Sequence, residues 1–113
     1  MNSAIEISVV MATYNRCDSL KNQIKCLFDQ SFDQDRFELI IINDGSTDDT
    51  EAYLQTLSKN NTQLKYLLQQ NLGPAAARNL GVSQARGSII AFTDDDCLAD
   101  PEWLNIIYQI FRD

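Results

Sequence analysis

The chain has 113 residues, 44% of them apolar, and this length and composition predict one domain with a single hydrophobic core. Sixteen acidic residues against nine basic residues give a net charge of −7, which argues against a nucleic-acid partner and is compatible with binding of a metal cation. The chain has no histidine, and its three cysteines, Cys17, Cys26 and Cys97, lack CxxC spacing. The sequence therefore gives no support for a zinc site or for a Ser/His or Cys/His catalytic pair.

The cysteines and the hydropathy pattern bear on cellular location. The cysteine spacing favours reduced thiols, and Cys26, beside Leu27, is expected in the core. No stretch of the sequence reaches the roughly 18 apolar residues of a membrane span, and the N-terminus has no basic region followed by an apolar one. We therefore expect a cytoplasmic protein, and membrane association only through a further segment of a longer parent protein.

The first half of the chain predicts two strand–helix pairs. Residues 5–12 (IEISVVMA) and 37–42 (FELIII) are nearly continuous apolar runs, which is typical of strands buried on both faces. Apolar side chains recur at helical spacing over residues 20–28. A second helix is predicted after Ser46, whose hydroxyl is expected to cap it.

The second half repeats this pattern. Residues 64–68 (LKYLL) and 88–92 (SIIAF) predict two further strands. A third helix is predicted to run from Pro74, which suits a first helical position, to Ala85. The last helix is predicted over residues 101–111, with Phe111 on its buried face.

Alternating strands and helices predict right-handed crossovers and a mainly parallel sheet. The expected fold class is therefore α/β, a Rossmann-like three-layer α/β/α unit that includes residues 1–113 in one domain. A sheet of only four strands would have exposed edges, and such edges allow homo-oligomers to form.

Polar residues follow each predicted strand at its carboxyl end. They fall in four clusters: 13–16 (TYNR), 43–46 (NDGS), 70–73 (QNLG) and 94–96 (DDD). Ligands of open α/β sheets bind at this edge, near the point where the strand order reverses. One shared site explains the four clusters better than four unrelated turns.

The three consecutive aspartates have an electrostatic cost. Two unit charges about 6 Å apart repel by about 3 kcal/mol at an effective dielectric near 20. In a turn exposed to water the repulsion is smaller, so a solvated acidic turn is the alternative interpretation. Magnesium and manganese prefer oxygen ligands, and a bound cation would relieve the repulsion. Alternation along an extended segment places Asp94 and Asp96 on one side and Asp95 on the other.

Other residues at the same edge are candidates for ligand binding. The sequence has no GxGxxG or GxxxxGK[ST] motif, which argues against dinucleotide oxidoreductases and P-loop enzymes. Asp44 is a candidate acceptor of hydrogen bonds from a base or ribose, and the Tyr14 ring is a candidate for stacking on the face of a base. Arg78 suits a phosphate, whereas Arg16 is equally compatible with a phosphate contact and with a solvated loop charge.

Four segments together resemble the N-terminal half of a glycosyltransferase family 2 enzyme with the GT-A fold. They are VVMATYNR, IIINDGSTDDT, QNLGPAAARNLGVSQARG and IIAFTDDDCLADPEWL, and the resemblance covers about residues 7–104. It implies a nucleotide-diphosphosugar donor, most often a UDP-sugar, with Mg²⁺ or Mn²⁺ as cofactor. The acceptor is unknown.

The resemblance also implies roles for individual residues. Base binding is implied for Thr13, Tyr14 and Asp44. Arg78 is placed near the base and diphosphate. In the acidic run, Asp94 and Asp95 resemble the donor-contacting part of a DxD motif, and Asp96 resembles its metal ligand. Because a run of three aspartates admits two alignments, Asp94 is a second candidate metal ligand.

The chain departs from the family in one respect. Enzymes of this type continue for roughly a hundred residues more, and that part carries the acceptor site and the general base that inverting transfer requires. No catalytic base is identifiable within residues 1–113, so this part alone is expected to bind donor and to transfer little or no sugar. The alternatives are a non-catalytic association module and, more weakly supported, a metal-dependent phosphohydrolase.

Overall fold

The computed structural model describes residues 4–112, in which strands and helices alternate along the chain. The strands are β1 (Ile7–Thr13), β2 (Phe37–Asn43), β3 (Leu64–Leu68) and β4 (Ile89–Phe92). The helices are α1 (Cys17–Phe28), α2 (Thr50–Asn60), α3 (Pro74–Gln84) and α4 (Trp103–Arg112), with a short 3-10 helix at Gln34–Arg36 before β2. The predicted α/β class is confirmed.

All strand pairs are parallel, and the strand order is β3-β2-β1-β4. The chain moves from β1 outward to β2 and β3, and then returns to the other side of β1 for β4. The strand order therefore reverses between β1 and β4, which is where open α/β sheets form a ligand crevice. Phe92 at the end of β4 lies opposite Val10, so the residues after β4 run beside the last residues of β1.

The two faces of the sheet are covered unequally. Along β1, Val9 and Met11 belong to a large apolar cluster that also contains core residues of α1, α2 and α4. Val10 points to the other face and packs with Ala77 of α3. Glycine lets α3 approach that face closely, because a Cβ built on Gly81 would lie 2.4 Å from Val10 Cγ1.

One prediction about a helix end and one about burial are wrong. The Ser46 hydroxyl does not cap α2, because it accepts a hydrogen bond from the Asn15 amide at 2.9 Å. Instead, Asp48 Oδ1 accepts from the Thr50 amide at 3.0 Å, at the true start of the helix. Cys26 is only partly buried, whereas Cys17 is the buried cysteine.

The predicted buried position of Phe111 is also wrong. Leu104 in the first turn of α4 is fully buried, and Ile107 and Tyr108 pack partly against the core. Phe111, one turn further on, is 67% exposed. The helix passes beyond the core at its C-terminal end, so the apolar periodicity continues after the packing partners end.

Candidate functional site

A pocket of about 340 Å³ lies at the carboxyl edge of the sheet, over the crevice between β1 and β4. This volume is at the lower end of the range for small-molecule sites. Every residue that the sequence proposed for substrate or metal binding lines it: Thr13, Tyr14, Arg16, Asp44, Arg78, Asp94, Asp95 and Asp96. The structure therefore brings the predicted residues together, although their roles toward a ligand stay predictions.

The three aspartates do not share one environment. Asp94 and Asp96 are exposed, whereas Asp95 is buried, with 7% of its surface accessible. The Thr13 hydroxyl donates to Asp95 Oδ2 at 2.8 Å. Burial raises the pKa of Asp95 above its ordinary value, and the hydrogen bond from Thr13 and the nearby Arg16 charge only partly offset it. The alternation predicted from the sequence is confirmed.

Asp94 and Asp96 are the residues that could hold a cation. Their carboxylate oxygens and the Cys97 thiol all lie within 4.8 Å of one another. Two exposed carboxylates with open space beside them suit Mg²⁺ or Mn²⁺, which complete their coordination with phosphate oxygens and water. The thiol is a softer donor and fits these ions less well. The donor set therefore fits the cofactor that the sequence implied.

Two arginines line the pocket from different elements. Arg16 follows β1, and its Nη1 lies 3.1 Å from Asp96 Oδ2 and 3.9 Å from Asp95 Oδ1. Its guanidinium thus partly neutralises the acidic turn, residues 94–97, and is not an isolated loop charge. Arg78 is exposed on the second turn of α3. Guanidinium groups at these two positions suit phosphate oxygens, which they bind in bidentate fashion.

Asp44 has a structural contact as well as a place in the pocket. Its carboxylate is 6% exposed and accepts from the Leu72 amide and Gln69 Nε2, both at 2.7 Å, and from the Gly73 amide at 3.1 Å. These bonds fasten the loop between β3 and α3. A carboxylate offers about four acceptor sites, so one remains for a ligand.

Tyr14 lies at the rim of the pocket. Its side chain follows β1 directly and is 43% exposed. An aromatic ring with one accessible face can stack on a planar group. This placement agrees with the predicted role of covering a base, and it is not a core position.

Sequence reasoning missed two residues that shape the site. Asn15 adopts a positive φ of 53°, and its Oδ1 accepts from the Thr47 amide at 2.7 Å, which ties the loop after β1 to the loop after β2. Gln23 lies fully buried in α1 and contacts the acidic turn. The available signals were an asparagine two residues after a strand, and a glutamine beside Ile24 on an apolar helix face.

Solved structures share this arrangement of strands and helices. S. aureus TarS 1–349 in complex with UDP-GlcNAc matches 96% of the chain at 27% identity and a TM-score of 0.86, and the match covers 31% of that structure. A mannosyltransferase from Pyrobaculum calidifontis in complex with GDP-Man and Mn²⁺ matches 91% of this chain with a TM-score of 0.81, and the match covers 32% of that structure. At 21% identity the second likeness bears on the fold alone. The fold and the edge pocket define a GT-A-type domain of the glycosyltransferase class.

Sequence comparisons identify the family. Residues 8–113 match the profile described as Glycosyl transferase family 2, and the chain belongs to this family. An uncharacterised glycosyltransferase of Rickettsia conorii is 44% identical over 93 residues, which cover 82% of this chain and 15% of the relative. The GalNAc(5)-diNAcBac-PP-undecaprenol beta-1,3-glucosyltransferase of Campylobacter jejuni is 39% identical over 93 residues, or 80% of this chain and 29% of the relative. The chain thus spans less than a third of either relative.

None of the helices within residues 4–112 has both the length and the apolar character that a bilayer-spanning helix needs.

Proposed function

We propose that this domain binds the nucleotide-diphosphosugar donor of an inverting, metal-dependent glycosyltransferase, with a UDP-sugar as donor. One observation carries the proposal: Asp94 and Asp96 line the same pocket as Arg16 and Arg78, at the point where the strand order reverses. A site with paired carboxylates and guanidinium groups suits a diphosphate bound together with a divalent cation. The TarS complexes with UDP and UDP-GlcNAc support a uridine nucleotide.

Asp94 and Asp96 would hold Mg²⁺ or Mn²⁺. A divalent cation bound there supplies positive charge that offsets the repulsion within the acidic turn and the charge of a diphosphate. Arg16 now pairs with Asp96 and would be free to contact phosphate once the carboxylate has another partner. In the proposed function, the arginines stabilise negative charge on the departing nucleoside diphosphate.

The remaining pocket residues would hold the nucleoside. Tyr14 covers one face of the base, and Asp44 uses its free acceptor position toward the base or ribose. The Thr13 hydroxyl donates a hydrogen bond to Asp95, and both residues line the pocket. In this proposal Asp95 contacts the donor through the edge of its carboxylate that the pocket exposes.

The catalytic base is proposed to lie outside residues 1–113. Inverting transfer needs a group within hydrogen-bond reach of the acceptor hydroxyl. Three of the four strand-end clusters contribute pocket residues, to which this proposal gives donor or metal roles, and the fourth, residues 70–73, is hydrogen-bonded to Asp44. We therefore expect residues 1–113 alone to bind donor and to transfer little or no sugar.

Calorimetry with UDP in the presence of Mn²⁺ tests the proposal. Asp96→Ala is expected to lower the affinity for UDP and Mn²⁺ together by at least about 10-fold, since even the loss of a residue that only orients a metal ligand costs about that much. Asp29→Ala is the matched control, because Asp29 is an exposed aspartate at the end of α1, outside the pocket. Absence of binding heat, or binding undiminished in Asp96→Ala, would contradict the proposal.

The second candidate function is association with another chain through the unpaired side of an outer strand of the sheet. Phe92 on the outer strand β4 is 49% exposed, and this apolar edge favours pairing with another chain. Light scattering at rising concentration distinguishes the two functions. Concentration-dependent dimers that are indifferent to nucleotide support association, and a monomer at high concentration removes it.

We also propose a cytoplasmic location. Cys17, Cys26 and Cys97 are free thiols in this structure, which suits a reducing compartment.

A further inference from the structure

Gln23 makes hydrogen bonds on both sides of the acidic turn, residues 94–97. This side chain lies on α1 and is fully buried. Its Nε2 donates to Thr93 Oγ1 at 2.9 Å and to the Asp94 carbonyl oxygen at 3.2 Å. Its Oε1 accepts from the Ala99 amide at 3.0 Å. One buried amide therefore bonds the Thr93 side chain and the carbonyl oxygen of the first aspartate on one side, and the Ala99 backbone on the other.

The acidic turn has little hydrogen bonding within its own backbone. Within it, the Cys97 amide reaches the Asp94 carbonyl oxygen only at 3.5 Å, a long hydrogen bond. The carboxylates of Asp94 and Asp96 repel each other when both are ionised, which favours opening of the turn. A fixed amide at both ends opposes this opening. Because Gln23 is shielded from water, its bonds are costly to break.

We propose that Gln23 is a positioning residue that sets the separation of Asp94 and Asp96 for cation binding. The inference rests on the proposed function, since it concerns the same cation site. Gln23 itself does not line the pocket; it acts through the backbone of the turn. A glutamine is suited to this, because it presents a donor and an acceptor in opposite directions from one rigid amide.

The segment just after α1 offers a matched control. Gln30 is also a buried glutamine of this region, with 4% of its surface exposed. It donates to the Asp100 carbonyl oxygen at 2.6 Å and accepts from the Leu104 amide at 2.9 Å. These bonds fasten the start of α4 and not the acidic turn. Gln23 and Gln30 thus make similar bonds to the same later segment, but only Gln23 contacts the part that carries the aspartates.

The test compares Gln23→Met with Gln30→Met, since methionine keeps the length and removes the hydrogen bonds. UDP is titrated into each protein with Mn²⁺ and, separately, with EDTA, and the ratio of the two affinities is taken as the metal-dependent gain. We expect Gln23→Met to reduce this gain about 10-fold, as loss of residues that orient metal ligands does elsewhere. Its affinity in EDTA and the gain in Gln30→Met should stay at the wild-type value.

The result separates a positioning role from a merely structural one. General destabilisation would lower UDP affinity with and without metal in both variants, and this outcome overturns the inference. An unchanged gain in Gln23→Met also overturns it. If wild-type protein shows no metal-dependent gain at all, the proposed function itself fails, and the inference fails with it.

A second variant, Gln23→Asn, tests the inference if Gln23→Met does not fold. Gln23→Asn keeps an amide but is one methylene shorter, so it cannot bond both Asp94 and Ala99. We expect the same selective loss of the metal-dependent gain, and Gln30→Asn serves as its control. A gain equal to wild type in Gln23→Asn contradicts the inference.

Discussion

At the scale of single residues, the pocket depends on buried polar groups that are bonded to loops. Asp44 is the main example, because its carboxylate accepts two backbone amides and one side-chain amide from the segment between β3 and α3. Gly45 next to it has a φ of 80°, and a Cβ there would lie 2.9 Å from the Asn71 nitrogen. This close approach lets the two loops pack together and brings Asp44 within reach of Leu72 and Gly73.

Asp44→Asn should weaken both the fold and the site. Asparagine has the same shape but only one acceptor oxygen, so its NH2 group would face a backbone N–H of the loop. We expect a loss of about 1–3 kcal/mol in the free energy of unfolding, the usual cost of an unsatisfied buried group. Urea unfolding measures it, and Asp49→Asn, an exposed aspartate before α2, is the control. Equal stability of the two variants would show that the loop does not depend on this carboxylate.

At the scale of elements, the strands were predictable and their loop contacts were not. Nearly continuous apolar runs such as FELIII are typical of strands that are covered on both faces, so sequence alone identified β2. The capping prediction for Ser46 failed because a partner 31 residues away, the Asn15 amide, uses its hydroxyl. Gln23 was missed for a similar reason, since its partner Asp94 lies 71 residues further along the chain. Local patterns specify elements, whereas these bonds depend on how elements meet.

The position of α3 is the second testable feature at this scale. Gly81→Ala would place a Cβ 2.4 Å from Val10 Cγ1 and 3.0 Å from Ile42 Cδ1. In an open helix this substitution would gain up to about 1 kcal/mol. Overpacking of a core costs about 1–3 kcal/mol, so we expect a net loss of stability. Because α3 also carries Arg78, its displacement should lower UDP affinity as well.

Thermal unfolding and UDP titration measure these two effects of Gly81→Ala. Ser83→Ala is the control, because Ser83 is exposed on the same helix and its hydroxyl bonds only the Leu80 carbonyl. A melting temperature of Gly81→Ala at or above that of Ser83→Ala would show that the sheet yields to the added methyl group.

At the scale of the whole molecule, the carboxyl and amino edges of the sheet, where its strands end and begin, carry different kinds of charged groups. The carboxyl edge carries the pocket, with exposed Asp94 and Asp96 and the arginines beside them. The amino edge carries Glu38, which is 1% exposed and is bonded by groups from β1 and from the loop before β4. Asp94, Asp96 and the two arginines at the first edge are exposed and only partly paired, which leaves them available to a ligand. The charge at the second edge is enclosed and contributes to stability.

Glu38→Gln tests this separation through pH. Burial opposes ionisation of Glu38, but the Ser8 hydroxyl at 2.6 Å, the Arg86 amide at 2.8 Å and Arg86 Nε at 3.1 Å outweigh it and lower its pKa. A lowered pKa in the folded state means that this stabilisation is complete above about pH 4.5 and is lost as the pH falls further. The neutral variant should therefore be less stable at pH 7 by about 1–3 kcal/mol, because its NH2 group faces donors.

The difference in unfolding free energy between wild type and Glu38→Gln, followed by urea unfolding from pH 7 to pH 3, isolates this one carboxylate from the others. We expect the difference to be constant down to about pH 4.5 and to shrink below it. UDP affinity at pH 7 should be unchanged, since Glu38 lies at the edge opposite the pocket and does not line it. Parallel stability curves across the whole range would mean that the charge of Glu38 does not stabilise the fold. Reduced UDP affinity in a folded variant would mean that the two ends of the sheet are coupled. The change at Glu38 would then reach the pocket along β1 and β2, which run from one end to the other.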